Sequence, residues 1–75
     1  MNKMESMLPK QARGISRRHL SFQIVDNNWT VRDLGSMNGS FVSGGVRLSP
    51  FTDWKLEDGD IIWLGEKENS LIVHL

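Results

Sequence analysis

Seventy-five residues make one domain at most, and a chain this short buries only about 60% of the surface its unfolded form exposes. Apolar residues make up 39%, with three Trp and three Phe, which suffices for a small core and is too much for a disordered tail. The formal net charge is zero and there is no cysteine, which argues against a disulfide scaffold and for a reducing compartment. No apolar run approaches the ~20 residues of a membrane-spanning helix, so no membrane association is expected.

Charge is unevenly spread. Lys3, Lys10, Arg13, Arg17 and Arg18 face a single acid, Glu5, in the first stretch. Lys55 and Lys67 stand among Asp53, Glu57, Asp58, Asp60, Glu66 and Glu68 in the last. The basic end can attract an anion, while the acidic end argues against a broad nucleic-acid surface.

Residues 1–14 read as a flexible leader, because Pro9 and Gly14 interrupt any longer pattern. From Ile15 the chain reads as short strands between strong turn signals. Leu20-Ser21-Phe22-Gln23-Ile24 alternates apolar and polar, as a strand buried on one face does. Asp26-Asn27-Asn28 supplies a turn, and Trp29-Thr30-Val31-Arg32-Asp33-Leu34 a return strand, so a hairpin is predicted. A loop of small and polar residues follows, Gly35-Ser36-Met37-Asn38-Gly39, and then the short strand Ser40-Phe41-Val42. Ser43-Gly44-Gly45 is a tight turn into Val46-Arg47-Leu48. Trp54-Lys55-Leu56 forms another short strand, Glu57-Asp58-Gly59-Asp60 a turn, and Ile61-Ile62-Trp63-Leu64 a compact apolar strand ended by Gly65. Ser70-Leu71-Ile72-Val73-His74-Leu75 is the last strand. No stretch after residue 14 keeps a 3.6-residue period, so the class is all-β, a sandwich or barrel.

Catalytic readings fail on chemistry. Ser16, His19 and Asp33 can be drawn as a triad, but nothing supplies oxyanion donors or fixes a nucleophile–base bond. His19 and His74 are the only imidazoles and no Cys accompanies them, so no metal site is expected. Neither a dinucleotide fingerprint nor a Walker loop is present. No catalytic residue and no cofactor are expected, and the chain is not read as an enzyme.

Two segments carry the functional signal: Ile15-Ser16-Arg17-Arg18-His19-Leu20, and the run from Asp33 to Val42. One enters the predicted hairpin and the other leaves it, so both fall at the same end, away from the Asp26–Asn28 turn. Together they can receive an anion. Arg17 offers a charged, forked donor set and Ser16 a hydroxyl. Asn38 offers a carbonyl and an amide that can bond a peptide backbone in both directions. A phosphorylated Ser or Thr brings about −1.5 to −2 charges and three acceptor oxygens to such a site.

The order of these motifs resembles a known family. Ser-x-x-His before a strand is followed by a Trp-containing strand ending Asp-Leu-Gly-Ser-x-Asn-Gly-Ser-Phe-Val. Gly44-Gly45-Val46-Arg47-Leu48, then the run from Leu56 to Gly65, and an apolar final strand complete the pattern. The chain from Ile15 to Leu75 is similar in this to the forkhead-associated (FHA) domain family. The resemblance implies an FHA-like (SMAD/FHA) β-sandwich of residues 15–75, incomplete at its N-terminus, with about seven of the family's eleven strands.

The resemblance also implies roles. Ser16 and Arg17 would bind phosphate, and Asn38 the peptide backbone. His19, Gly35, Ser36, Met37 and Gly39 would support the loops, with His19 joining them through ring hydrogen bonds. The implied partner is a phosphothreonine-containing protein or peptide, in a nuclear or cytoplasmic setting, nuclear being favoured by the resemblance. Two departures stand out. Met37 replaces the usual hydroxyl residue, and the Gly-Arg pair that supplies the family's main phosphate-binding arginine is missing before Ser16. The alternative reading is therefore a phosphate-independent structural or interaction fragment that self-associates or pairs with another chain through exposed sheet edges.

Overall fold

In the computed structural model the described residues are 3–6, as backbone, and 18–75. They form eight strands and two antiparallel sheets. The strands are β1 (Lys3–Ser6), β2 (Leu20–Val25), β3 (Asn28–Asp33), β4 (Ser40–Val42), β5 (Val46–Arg47), β6 (Trp54–Lys55), β7 (Ile61–Leu64) and β8 (Ser70–His74). One sheet has the order β1-β8-β7-β4-β5 and the other β2-β3-β6. The all-β sandwich expected from the sequence is the one observed, and its seven strands from Leu20 onward follow the predicted order.

The β2–β3 hairpin sets the geometry of the functional end. Asp26 and Asn27 both take left-handed backbone, at φ 51° and 64°, which makes a two-residue turn whose twist matches the flanking strands. Asn28, expected in the turn, already belongs to β3 and pairs with Val25. The ladder then runs to Leu20 opposite Asp33, so the segment before β2 and the loop after β3 emerge side by side.

Side chains from both sheets meet in one core: Val31, Val42, Leu48, Leu56, Ile62 and Val73, with Leu20, Phe22, Trp29 and Leu71 packed against it. Leu48 and Leu56, predicted as strand ends, lie just outside the ladders yet are buried. The backbone amide of each is held to a strand, Leu48 N–H to the Ser40 carbonyl and Leu56 N–H to that of Trp29. Along β4 and β7 the alternation is clean. Ser40, Val42, Ile62 and Leu64 are buried, while Phe41, Ile61 and Trp63 are only partly so. Along β2 it fails at one end, since Ile24 is 62% exposed across from the half-buried Trp29. It sits beside the turn on an edge strand, where the core no longer covers it.

The expectation of a flexible leader over residues 1–14 needs correction at Lys3–Ser6. These residues form β1, antiparallel to β8 with Lys3 opposite His74 and Ser6 opposite Leu71. The outer edge of β8 offers a row of backbone donors and acceptors, and tertiary pairing of this kind overrides a weak local pattern. The rest of the leader lies outside the described residues.

Ile62 is fully buried where β7 faces the opposite sheet. Replacing it by Ala removes packing that a core this small cannot redistribute, at a cost of about 2–5 kcal/mol. Urea denaturation of Ile62→Ala is expected to show a large drop in midpoint, whereas Ile24→Ala should leave it nearly unchanged.

Candidate functional site

Asp33, the last residue of β3, is 1% exposed and its carboxylate organises the following loop. Oδ2 accepts the backbone N–H groups of Gly35 at 3.0 Å and Ser36 at 3.1 Å. Oδ1 accepts the hydroxyls of Ser36 and Ser40, each at 2.5 Å. An aspartate bonding the amides two and three residues ahead turns the chain sharply. Gly35 makes that turn passable with φ +74°, and the Phe51 ring packs on it so closely that a Cβ would sit 2.9 Å from the ring. Burial by itself pushes the Asp33 carboxyl up. The hydrogen bonds from the Ser36 and Ser40 hydroxyls and from the Ser36 and Gly35 amides outweigh it and hold the pKa below the ordinary carboxylate value.

The far end of this loop is fastened to the first one. The Gly39 carbonyl accepts His19 Nε2–H at 2.8 Å and the Gly65 amide at 2.9 Å. The His19 carbonyl in turn accepts Leu34 N–H at 2.9 Å. One peptide oxygen thus ties together the segment entering β2, the loop leaving β3 and the end of β7. The His19 ring is buried and its Nε2 donates to a carbonyl, with Asp33 Oδ1 at 3.9 Å. That geometry leaves Nε2 without the free lone pair a general base requires.

Gly39 is buried with φ +84°, and a Cβ there would meet the Arg47 guanidinium at 3.0 Å. Asn38, just before it, is exposed, and Arg18 is exposed beside His19. Ser16 and Arg17 lie outside the described residues. Gly35 and Ser36 lie in the turn that the Asp33 carboxylate organises. Met37 stands 88% exposed at the tip. Among the described residues no group of three or more His, Asp or Glu is arranged to hold a metal ion.

Two contributors were not singled out from the sequence. The pattern Asp-x-Gly-Ser is itself the signature of a side-chain-to-backbone turn, and it could have marked Asp33 as the organiser. Arg47 is placed by hairpin register. The loop 43–45 leaves Val42 opposite Val46 and Phe41 opposite Arg47, with the guanidinium 5.9 Å from the Phe41 ring centroid and over the end of the loop. Arg47 forms no ion pair among the described residues, in contrast to Arg32, whose Nε and Nη2 both lie 3.0 Å from Asp53 Oδ1.

The described residues thus form a small β-sandwich in which His19, at the entry to β2, is clasped to the loop between β3 and β4. The sequence model of the FHA domain matches residues 5–65, and the chain belongs to that family. It is 42% identical over 59 residues to an FHA domain-containing protein of Arabidopsis thaliana, covering 79% of this chain and 15% of that protein. It is 38% identical over 61 residues to the FHA domain-containing protein FhaA of Mycobacterium tuberculosis, covering 81% of this chain and 11% of that one. A solution structure of an Arabidopsis thaliana FHA domain superposes with a TM-score of 0.73 at 42% identity, over 83% of this chain and 51% of that one. The chain therefore spans only a small part of the curated relatives it matches. FHA domains are in general protein–protein interaction modules that bind phosphorylated proteins.

The Asp33 cluster generates two expectations. Ser40→Ala leaves a buried carboxylate one donor short, a loss of about 1.5–3 kcal/mol in unfolding free energy for a bond to a charged acceptor. Because the folded-state pKa of Asp33 is depressed, its contribution is present above the ordinary carboxylate value and is lost as pH falls through the lower, folded one. Stability measured by denaturant titration should fall on acidification below about pH 4, the ordinary Asp range. That acid-dependent component should shrink in Ser40→Ala.

Proposed function

We propose that this domain recognises phosphothreonine peptides with the paired loops on either side of the His19–Gly39 contact. The carrying observation is that contact itself. A buried 2.8 Å bond fixes His19, three residues after Ser16, against the loop that presents Asn38. Ser16 is three residues from His19, and extended chain reaches at most about 3.6 Å per residue, so its Cα stays within roughly 11 Å of the His19 Cα.

In this reading the Ser16 hydroxyl and the Arg17 guanidinium take the phosphate oxygens, and Asn38 bonds the peptide backbone next to the modified residue. The Asp33 network serves by presetting the Ser36–Asn38 turn, so little loop entropy is lost on binding. Arg18 and Arg47 add positive charge at the same end. Charge-assisted bonds contribute about 1.5–3 kcal/mol each, so two or three of them dominate the affinity for a short peptide. The partner is a phosphothreonine-containing protein engaged in signalling, in a nuclear or cytoplasmic setting, with the nucleus favoured.

Calorimetric titration with matched phosphothreonine and unphosphorylated peptide pools tests this. Binding to the phosphorylated pool alone is expected. Ser16→Ala and Arg17→Ala should each weaken it about tenfold or more, and Asn38→Ala should weaken it with the fold intact. Equal binding to both pools, or none to either, rejects the reading.

A further inference from the structure

The sandwich has four outer strand edges among the described residues: β1 and β5 in one sheet, β2 and β6 in the other. Three of them resist pairing with a further chain. β5 and β6 have two residues each and carry Arg47 and Lys55, and the four residues of β1 include Lys3 and Glu5. Short length and charge are the ordinary protections of a sheet edge. β2 has neither. It runs for six residues, Leu-Ser-Phe-Gln-Ile-Val, with no charge, proline or glycine, and no described residue pairs with its outer side.

The backbone of this edge is ordered for pairing. The two-residue turn closes on Val25 and Asn28, so Val25, Gln23 and Ser21 direct their N–H and C=O groups toward β3. The His19 carbonyl, which accepts Leu34 N–H, follows the same alternation. Leu20, Phe22 and Ile24 therefore direct theirs outward. They are also the residues whose side chains belong to the core-facing side, and Ile24 is the one that the core leaves exposed.

We infer that β2 is a self-association edge, pairing antiparallel with β2 of a second copy about a two-fold axis at Phe22. The pattern is self-complementary in that register. Phe22 faces its own counterpart, Leu20 faces Ile24 of the second copy, and Ser21 faces Gln23, so apolar meets apolar and polar meets polar. The three facing pairs Leu20–Ile24, Phe22–Phe22 and Ile24–Leu20 exchange about six backbone hydrogen bonds. The axis keeps both cores on one side of the joined sheet and covers Ile24 twice. Centring the pairing on Gln23 instead would set Leu20 against the turn residue Asp26. An isologous contact of this kind closes at the dimer and leaves no further edge of the same kind. The loops carrying His19 and Asn38 end up at opposite ends of the joined sheet, away from the axis.

The test uses the full chain without peptide, so its result is separate from that for phosphothreonine recognition. Sedimentation equilibrium from about 10 μM to about 1 mM spans the affinities of a small interface, and residue-resolved amide exchange is followed over the same range. The expected result is a monomer–dimer equilibrium. Protection of the Leu20, Phe22 and Ile24 amides should rise with concentration, while Ser21, Gln23 and Val25 stay protected throughout. Ile24→Lys should weaken association about tenfold or more with an unchanged monomer spectrum. Three results overturn the inference: a monomer at every concentration, protection of Leu20, Phe22 and Ile24 in the monomer, or a dimer in which those three amides exchange freely. The exchange pattern of the unaltered chain decides even if the variant fails to fold.

Discussion

A single buried carboxylate, that of Asp33, shapes the functional end of this domain. Removing a carboxylate from water costs several kcal/mol, and only a full set of donors offsets that. Here two amides and two hydroxyls supply it, all from the seven residues that follow Asp33. The net gain in stability from such an arrangement is modest. Its consequence for conformation is larger, because any loop geometry that withdraws a donor leaves charge buried and unsatisfied. The loop is thereby confined to the path that ends with Gly39 under Arg47 and Asn38 on the surface.

The rest of the sandwich serves to bring His19 to that path. The two-residue turn at Asp26 and Asn27 fixes the register of β2 against β3, which sets Leu20 opposite Asp33. Register is what puts His19 in reach of the Gly39 carbonyl. That oxygen also accepts the Gly65 amide, so the two sheets are linked at the same point. The fold and the site thus share hydrogen bonds, and disturbing the loop also disturbs the seam between the sheets.

Much of the fold is legible in the sequence. The strands at Ser40–Val42, Ile61–Leu64 and Ser70–His74 read correctly because branched and aromatic residues alternate between glycine-bearing turns. The hairpin read correctly because Asp and Asn tolerate the left-handed backbone its turn demands. β1 escaped notice because its pairing depends on the edge of β8, nearly seventy residues away, and not on its own pattern. Ile24 looked like a core residue by periodicity, yet it lies where its sheet extends past the core. At the site, the order of residues along the chain drew attention to His19, Gly35, Ser36 and Gly39, which the structure brings around one turn. The Asp33 hub and the placement of Arg47 needed side-chain reach and hairpin register, which a motif read as a string leaves out.

The central claim is that an ionised Asp33 holds the loop. The most direct check is a carboxyl-carbon titration of Asp33 by NMR, with the Gly35 and Ser36 amide protons followed in the same samples. The account predicts a midpoint below the ordinary aspartate value of 3.8, with both amides shifting at that same midpoint. A midpoint at or above that value, or amides that do not respond to it, would contradict the account.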